Sequence, residues 1–84
     1  MISFEESAFA DYLQWAKDDK KIFAKINRLI TETARDPFKG IGKPEPLKGN
    51  LAGQWSRCIT DEHRLVYKVL TGHIIITSCK YHYN

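Results

Sequence analysis

The chain has 84 residues, 43% of them hydrophobic and 27% charged, which fits a single globular domain over 1–84 and excludes both a disordered chain and a multidomain enzyme. No apolar run approaches the roughly 20 residues of a membrane span, and Glu5 and Glu6 interrupt the opening stretch too early for a signal peptide, so the expectation is a soluble, cytoplasmic protein. A formal net charge of +3 is compatible with a nucleic-acid partner and does not establish one.

Residues 1–4 are short and apolar and are expected to form a first strand. Helical spacing follows. Phe9, Tyr12, Leu13 and Ala16 fall three or four apart and predict the buried face of a first helix, with Glu5 and Glu6 at the positive end of its dipole. The run Asp18-Asp19-Lys20-Lys21 breaks this helix, and either aspartate can cap the next. Ile22, Ile26, Leu29, Ile30 and Thr33 mark the inner face of a longer second helix, opposite Lys20, Asn27, Arg28 and Thr31. That helix should end at Asp36-Pro37, because proline pushes the residue before it out of helical geometry. Together the two read as an αα-hairpin able to cover one side of a small sheet.

Residues 38–53 read as a loop rich in Gly, Pro and Lys, of a length that is often functional. Three strands are expected after it, over 54–60, 63–70 and 73–81, with Thr60-Asp61-Glu62 and Thr71-Gly72 as turns. Alternation puts Trp55, Arg57 and Ile59 on one face of the first of these and Gln54, Ser56 and Cys58 on the other. In the second, Leu65, Tyr67 and Val69 oppose Arg64, Val66 and Lys68. The apolar sides can pack on the helices while the opposite sides form one working surface. The fold class is therefore α+β, a two-layer β-α-α-β-β-β arrangement with a mainly antiparallel sheet packed on the αα-hairpin.

Cys58 and Cys79 fall on strands two apart in a simple meander, about 9–10 Å. A disulfide needs Cα atoms within about 7 Å, so both are read as reduced thiols. No CxxC and no metal-ligand spacing occurs, and no cofactor is expected.

Three places could carry chemistry. In Lys43-Pro44-Glu45-Pro46-Leu47-Lys48 two prolines hold the Glu45 carboxylate on a stiff backbone between two lysines, although the same residues also suit an ordinary solvated turn. At the C-terminus, Ser78, Lys80 and His82 share one strand face, and His82 could donate a proton near neutral pH; a frayed tail fits equally well. Arg64 lies on the working face, whereas His63 falls on the apolar side or at the strand start and reads as structural. A base, an acid and a cation without a metal suit transesterification of RNA. A carboxylate takes the 2′-hydroxyl proton, a cation stabilises the phosphorane, and a histidine protonates the leaving 5′ oxygen.

These residues resemble the Txe/YoeB branch of the RelE-like bacterial toxins over nearly the whole length. The resemblance rests on Asp36-Pro37-Phe38, residues 42–48, Trp55-Ser56-Arg57, Ile59-Thr60, residues 63–67 and Tyr81-His82-Tyr83. It implies a RelE-like fold and an mRNA interferase that cuts message in the ribosomal A site. It also implies a YefM-like antitoxin and a homodimer. Glu45 would be the general base, His82 the general acid and Arg64 the stabiliser of the transition state, with Lys48 and Tyr83 helping to hold RNA. Two departures stand out. Family members follow Trp-Ser-Arg with a second, phosphate-facing arginine, where this chain has Cys58, and Asn84 extends past the usual terminal tyrosine. Arg57 alternates onto the Trp55 side and is not taken as a site residue. A rival reading is a non-catalytic, ParE-like binder of a protein target, against which Glu45 and His82 argue; a degenerate toxin that only binds its antitoxin is the third.

Overall fold

A computed structural model of the chain describes residues 1–81. Strand β1 (Ile2–Phe4) leads into helix α1 (Glu6–Asp18) and helix α2 (Lys20–Arg35). Four further strands follow: β2 (Glu45–Pro46), β3 (Gln54–Cys58), β4 (Arg64–Leu70) and β5 (His73–Ser78). They form one five-stranded sheet in the order β1-β5-β4-β3-β2. β1 runs parallel to β5 and the other pairings are antiparallel. The expected two-layer α+β arrangement is present, with one strand more than the sequence announces.

The break between the helices is a capping event. The Asp19 carboxylate accepts the backbone N–H groups of Lys21 and Ile22 at 3.0 and 3.1 Å, satisfying donors that the first turn of α2 leaves orphaned, worth about 1 kcal/mol. α2 then buries Ile26, Leu29 and Thr33 completely, with Ile22 and Ile30 packed beside them, as its apolar spacing requires. The Thr33 hydroxyl donates back to the Leu29 carbonyl at 2.7 Å, so its burial leaves no polar group unpaired. The helix stops at Asp36, ahead of Pro37.

α1 corrects the sequence reading. Phe9 and Leu13 are about half exposed, and the buried residues are Ala8 and Trp15. The helix is turned by about one residue, so that Ala8, Tyr12 and Trp15 face the sheet. Both faces have helical spacing and share Tyr12; the indole decides, because it has the larger area to bury and a partner for its N–H. Trp15 Nε1 donates to the Cys79 carbonyl at 3.0 Å in the interior. Phe9 instead lies over the rings of Phe4 and Tyr12 at 5.6 and 6.2 Å.

The sheet presents Ile59, Leu65, Tyr67, Ile74 and Ile76 to the helices, and these form one core with Ala8, Trp15, Ile26 and Leu29. Strand ends fall short of the sequence expectation. β3 stops at Cys58 and β5 at Ser78, although Ile59 and Cys79 beyond them are buried. Both cysteines are free. Burial pushes the Cys79 thiol up to about 12.

Candidate active site

The segment expected to be a loop contains the edge strand β2 and a 3-10 turn, Gly49–Leu51. Its entry is held from below. Arg57 is fully buried, and its guanidinium donates to the carbonyls of Asp36, Lys39 and Ile41 and to the Tyr67 hydroxyl. Tyr67 in turn donates to the Pro37 carbonyl at 2.7 Å. Burial raises the Tyr67 phenol above its ordinary value, and its hydrogen bond with Arg57 works against that rise. After this clamp the chain bends sharply. Gly42 takes φ 83°, and a Cβ there would sit 2.8 Å from Leu29 Cδ2, so only glycine fits. The Gly42 carbonyl accepts the Cys58 N–H at 2.7 Å. Pro44 and Pro46 then bracket Glu45, and Leu47 locks the strand by burying its side chain and donating its N–H to the Gln54 carbonyl at 2.9 Å.

Register places the candidates on the face of the sheet that the helices leave open, although Ser56 and Val66 at its centre are only 2% and 3% exposed. Glu45 lies opposite Ser56, Ser56 opposite Val66, and Val66 opposite Ser78. Directly opposed residues share a face, so a single row crosses four strands with the exposed Glu45 at its edge. One step along the same face, Cys58 lies opposite Arg64. Two strand spacings and two residues of rise separate Glu45 from Arg64, about 12 Å between Cα atoms.

Arg64 is held by the turn before it. Its Nη1 donates to the carbonyls of Thr60, Asp61 and His63 at 2.6, 3.2 and 3.1 Å. The Nε–Nη2 edge, suited to a bidentate phosphate contact, takes part in none of these bonds. The turn itself is fixed by the Thr60 hydroxyl, which accepts the N–H groups of Glu62 and His63. Lys48 is exposed and precedes the 3-10 turn. Beside the row lies a concavity of about 280 Å³ lined by Glu5, Gln54, Val66, Lys68 and Ser78 among others.

The tail differs from the expected continuous strand. β5 ends at Ser78, and the Lys80 ammonium lies over the Trp15 ring, 5.7 Å from its centroid, so Lys80 does not continue the face of Ser78. His63, which the sequence puts on the apolar side or at the strand start, is 7% exposed. Its Nδ1 accepts the Tyr81 N–H at 2.8 Å, a role without a local sequence signal. His82 and Tyr83, expected as general acid and RNA contact, lie outside the described residues. Among the described residues no cluster of three or more His, Cys, Asp or Glu is arranged to hold a metal ion, and no helix is long and apolar enough to cross a membrane.

Known proteins share the sequence and the fold of this chain. Residues 4–83 match the family described as YoeB-like toxin of bacterial type II toxin-antitoxin system. Toxin YoeB of Streptomyces coelicolor is 55% identical over 82 residues, covering 98% of each chain. The YoeB-YefM complex from Staphylococcus aureus contains a chain that superposes with a TM-score of 0.91 at 51% identity, covering 99% of this chain and 97% of that one. The YoeB dimer from Staphylococcus aureus superposes with a TM-score of 0.90 at 53% identity, covering 98% and 95%. The RelE-like fold expected from the sequence is thus the fold of this chain, and with a family match over nearly its full length the chain belongs to the YoeB-like toxins of bacterial type II toxin-antitoxin systems.

Proposed function

We propose that this chain is a ribosome-dependent mRNA endoribonuclease that cuts message in the A site by metal-independent general acid–base attack of the 2′-hydroxyl. Glu45 takes the 2′-hydroxyl proton, Arg64 stabilises the charge that develops on the phosphorane, and His82 protonates the leaving 5′ oxygen. Lys48 and Tyr83 hold the RNA. The observation that carries the reading is the shared open face of Glu45 and Arg64, with the Arg64 backbone N–H bonded to the Tyr81 carbonyl at 3.1 Å, immediately before His82 in the chain. The backbone bond from Arg64 to Tyr81 supports a reading in which the chain enters the acid close to the cation.

The ribosome supplies what this thin surface lacks. Positioning a reactant can contribute about 7–11 kcal/mol, and a small open site with a net charge of +3 gives little of it to flexible RNA. In cells the partner is a YefM-like antitoxin, and the chain forms a homodimer, in keeping with the Staphylococcus aureus relatives described as a YoeB-YefM complex and a YoeB dimer. The test is cleavage of free and ribosome-bound message by the purified toxin. Fast cleavage on ribosomes only, with 2′,3′-cyclic phosphate ends and a block by a 2′-deoxynucleotide at the cut, is the expected result. Equal rates on both, or cleavage at the deoxynucleotide, contradicts the reading. Cys58 in place of a family arginine favours one alternative, a toxin that acts only by binding a protein partner or its antitoxin. Intact message on toxin-loaded ribosomes would support that alternative.

A further inference from the structure

The backbone around Tyr81 is in an unusual state. Tyr81 has φ 61°, the left-handed region that a bulky L-residue adopts only when its surroundings enforce it. The enforcement comes from two consecutive residues at the start of β4. His63 Nδ1 accepts the Tyr81 N–H at 2.8 Å, and the Arg64 N–H donates to the Tyr81 carbonyl at 3.1 Å. One peptide unit upstream, Trp15 Nε1 holds the Cys79 carbonyl. The His63 ring is itself fixed between Trp15, edge-on at 4.8 Å, and Tyr81 at 5.5 Å. A histidine that is 7% exposed, with its ring fixed by packing and its acceptor spent on a strained backbone, does more than fill space.

We infer that His63 is a positioning residue for the reaction: it clasps Tyr81 and so sets where the chain delivers the C-terminal acid. The inference rests on the proposed nuclease reading, in which the next residue, His82, protonates the leaving oxygen. The clasp requires the neutral imidazole with its proton on Nε2, because a doubly protonated ring has no acceptor to offer. Nε2 faces the Glu62 carboxylate at 3.6 Å, which favours that tautomer. One dipeptide thereby joins two duties. Arg64 contributes its guanidinium to the open face, while its backbone and the preceding ring hold Tyr81. Displacing a catalytic group by about 1 Å can cost 10²-fold in rate, so the acid needs a fixed point of departure.

The experiment compares His63→Leu and His63→Asn with the unaltered toxin. Asparagine carries a side-chain oxygen close to where Nδ1 sits and can still accept the Tyr81 N–H; leucine cannot. In single-turnover cleavage on programmed ribosomes, His63→Leu should lose about 10²-fold in rate with unchanged half-saturation by ribosomes, and His63→Asn should recover most of it. Hydrogen exchange at the Tyr81 amide, followed by NMR, should accelerate in His63→Leu and stay protected in His63→Asn. His63→Leu at the unaltered rate overturns the inference. So does His63→Asn as slow as His63→Leu while melting like the unaltered chain, because an acceptor would then be beside the point. If His63→Leu does not fold, the rate and Tyr81 exchange of His63→Asn decide alone. Absence of cleavage by the unaltered toxin would defeat the nuclease reading, and the amide exchange would still report whether the clasp exists.

Discussion

Arg57 Nε donates to the Tyr67 hydroxyl at 3.1 Å across the β3–β4 pair, inside the protein. Among the described residues no carboxylate bonds the guanidinium; backbone carbonyls of Asp36, Lys39 and Ile41 receive the rest of its donors. A cation in that position solves a problem for the chain. The loop after α2 dives beneath the edge of the sheet and carries three carbonyls with it, and one planar fork satisfies all three. Arg57→Lys should therefore fail, because an ammonium cannot span them. Hydrogen bonds to charged groups are worth roughly 1.5–3 kcal/mol each, so a loss of about 3–5 kcal/mol is expected for either Arg57→Lys or Arg57→Ala. Urea unfolding measures it, and a loss below about 1 kcal/mol for the lysine variant would show that the clamp is dispensable.

Glu45→Ala should behave oppositely. The side chain is exposed on an edge strand whose fixing groups are Pro44, Pro46 and Leu47, so stability should stay within about 0.5 kcal/mol. The cleavage rate on ribosomes should fall by about 10²–10⁴-fold, the usual contribution of a general base. Full activity of a well-folded Glu45→Ala chain would remove Glu45 from the mechanism.

Cys58→Arg tests the departure that the resemblance implies at this position. Cys58 is half-buried and pairs directly with Arg64, so a new guanidinium would emerge beside the existing one. A preorganised donor to developing charge is typically worth about 10²–10³ in rate when removed. The gain here should be smaller, because Arg64 opposes a second cation at the pairing position. Single-turnover rates and melting curves with and without antitoxin should show faster cleavage at little change in melting temperature. A large fall in melting temperature would mean that the sheet has no room there.

Cys79 gives the protein an alkaline limit. Its thiol titrates from 9.0 when unperturbed to about 12 in the fold, chiefly through burial. A folded-state pKa raised above the unfolded one contributes stability that is fully present below pH 9.0 and is lost as the pH rises toward about 12. Stability should fall in that window by up to about 1.4 kcal/mol per pH unit. Cys79→Ala should remove much of the slope while lowering stability at neutral pH, the remainder belonging to Tyr67, which burial also shifts upward. Identical slopes for the two proteins between pH 9 and 11 would argue against this origin.

The legibility of the sequence followed the strength of its competing signals. α2 could be read because one face holds Ile22, Ile26, Leu29, Ile30 and Thr33 and the other holds charge. α1 offered two apolar faces around Tyr12, and the choice between them depended on a distant carbonyl, that of Cys79, waiting for the Trp15 indole. β2 was hidden because two residues flanked by prolines carry no strand pattern; they pair only because Gly42 and Leu47 deliver them to Ser56 and Trp55. At the candidate site, alternation alone assigned Arg64 and Cys58 to the open face and Arg57 to the covered one, as the structure has them. The carbonyl partners of Arg57 and the clasp of His63 on Tyr81 join positions 16 to 21 residues apart. No local pattern encodes such contacts.

The alternation of β2 has one more consequence. Leu47 turns its N–H inward to Gln54, so Glu45 also points its N–H inward, and the outward positions fall to Pro44 and Pro46, which have none. The outer rim of the sheet at the Glu45 strand therefore offers carbonyls without donors. A second polypeptide cannot zip onto it as a sixth strand, so no copy of the toxin and no unfolded neighbour can cap the carboxylate by extending the sheet. The residues that stiffen Glu45 thus also keep that border of the protein unsociable.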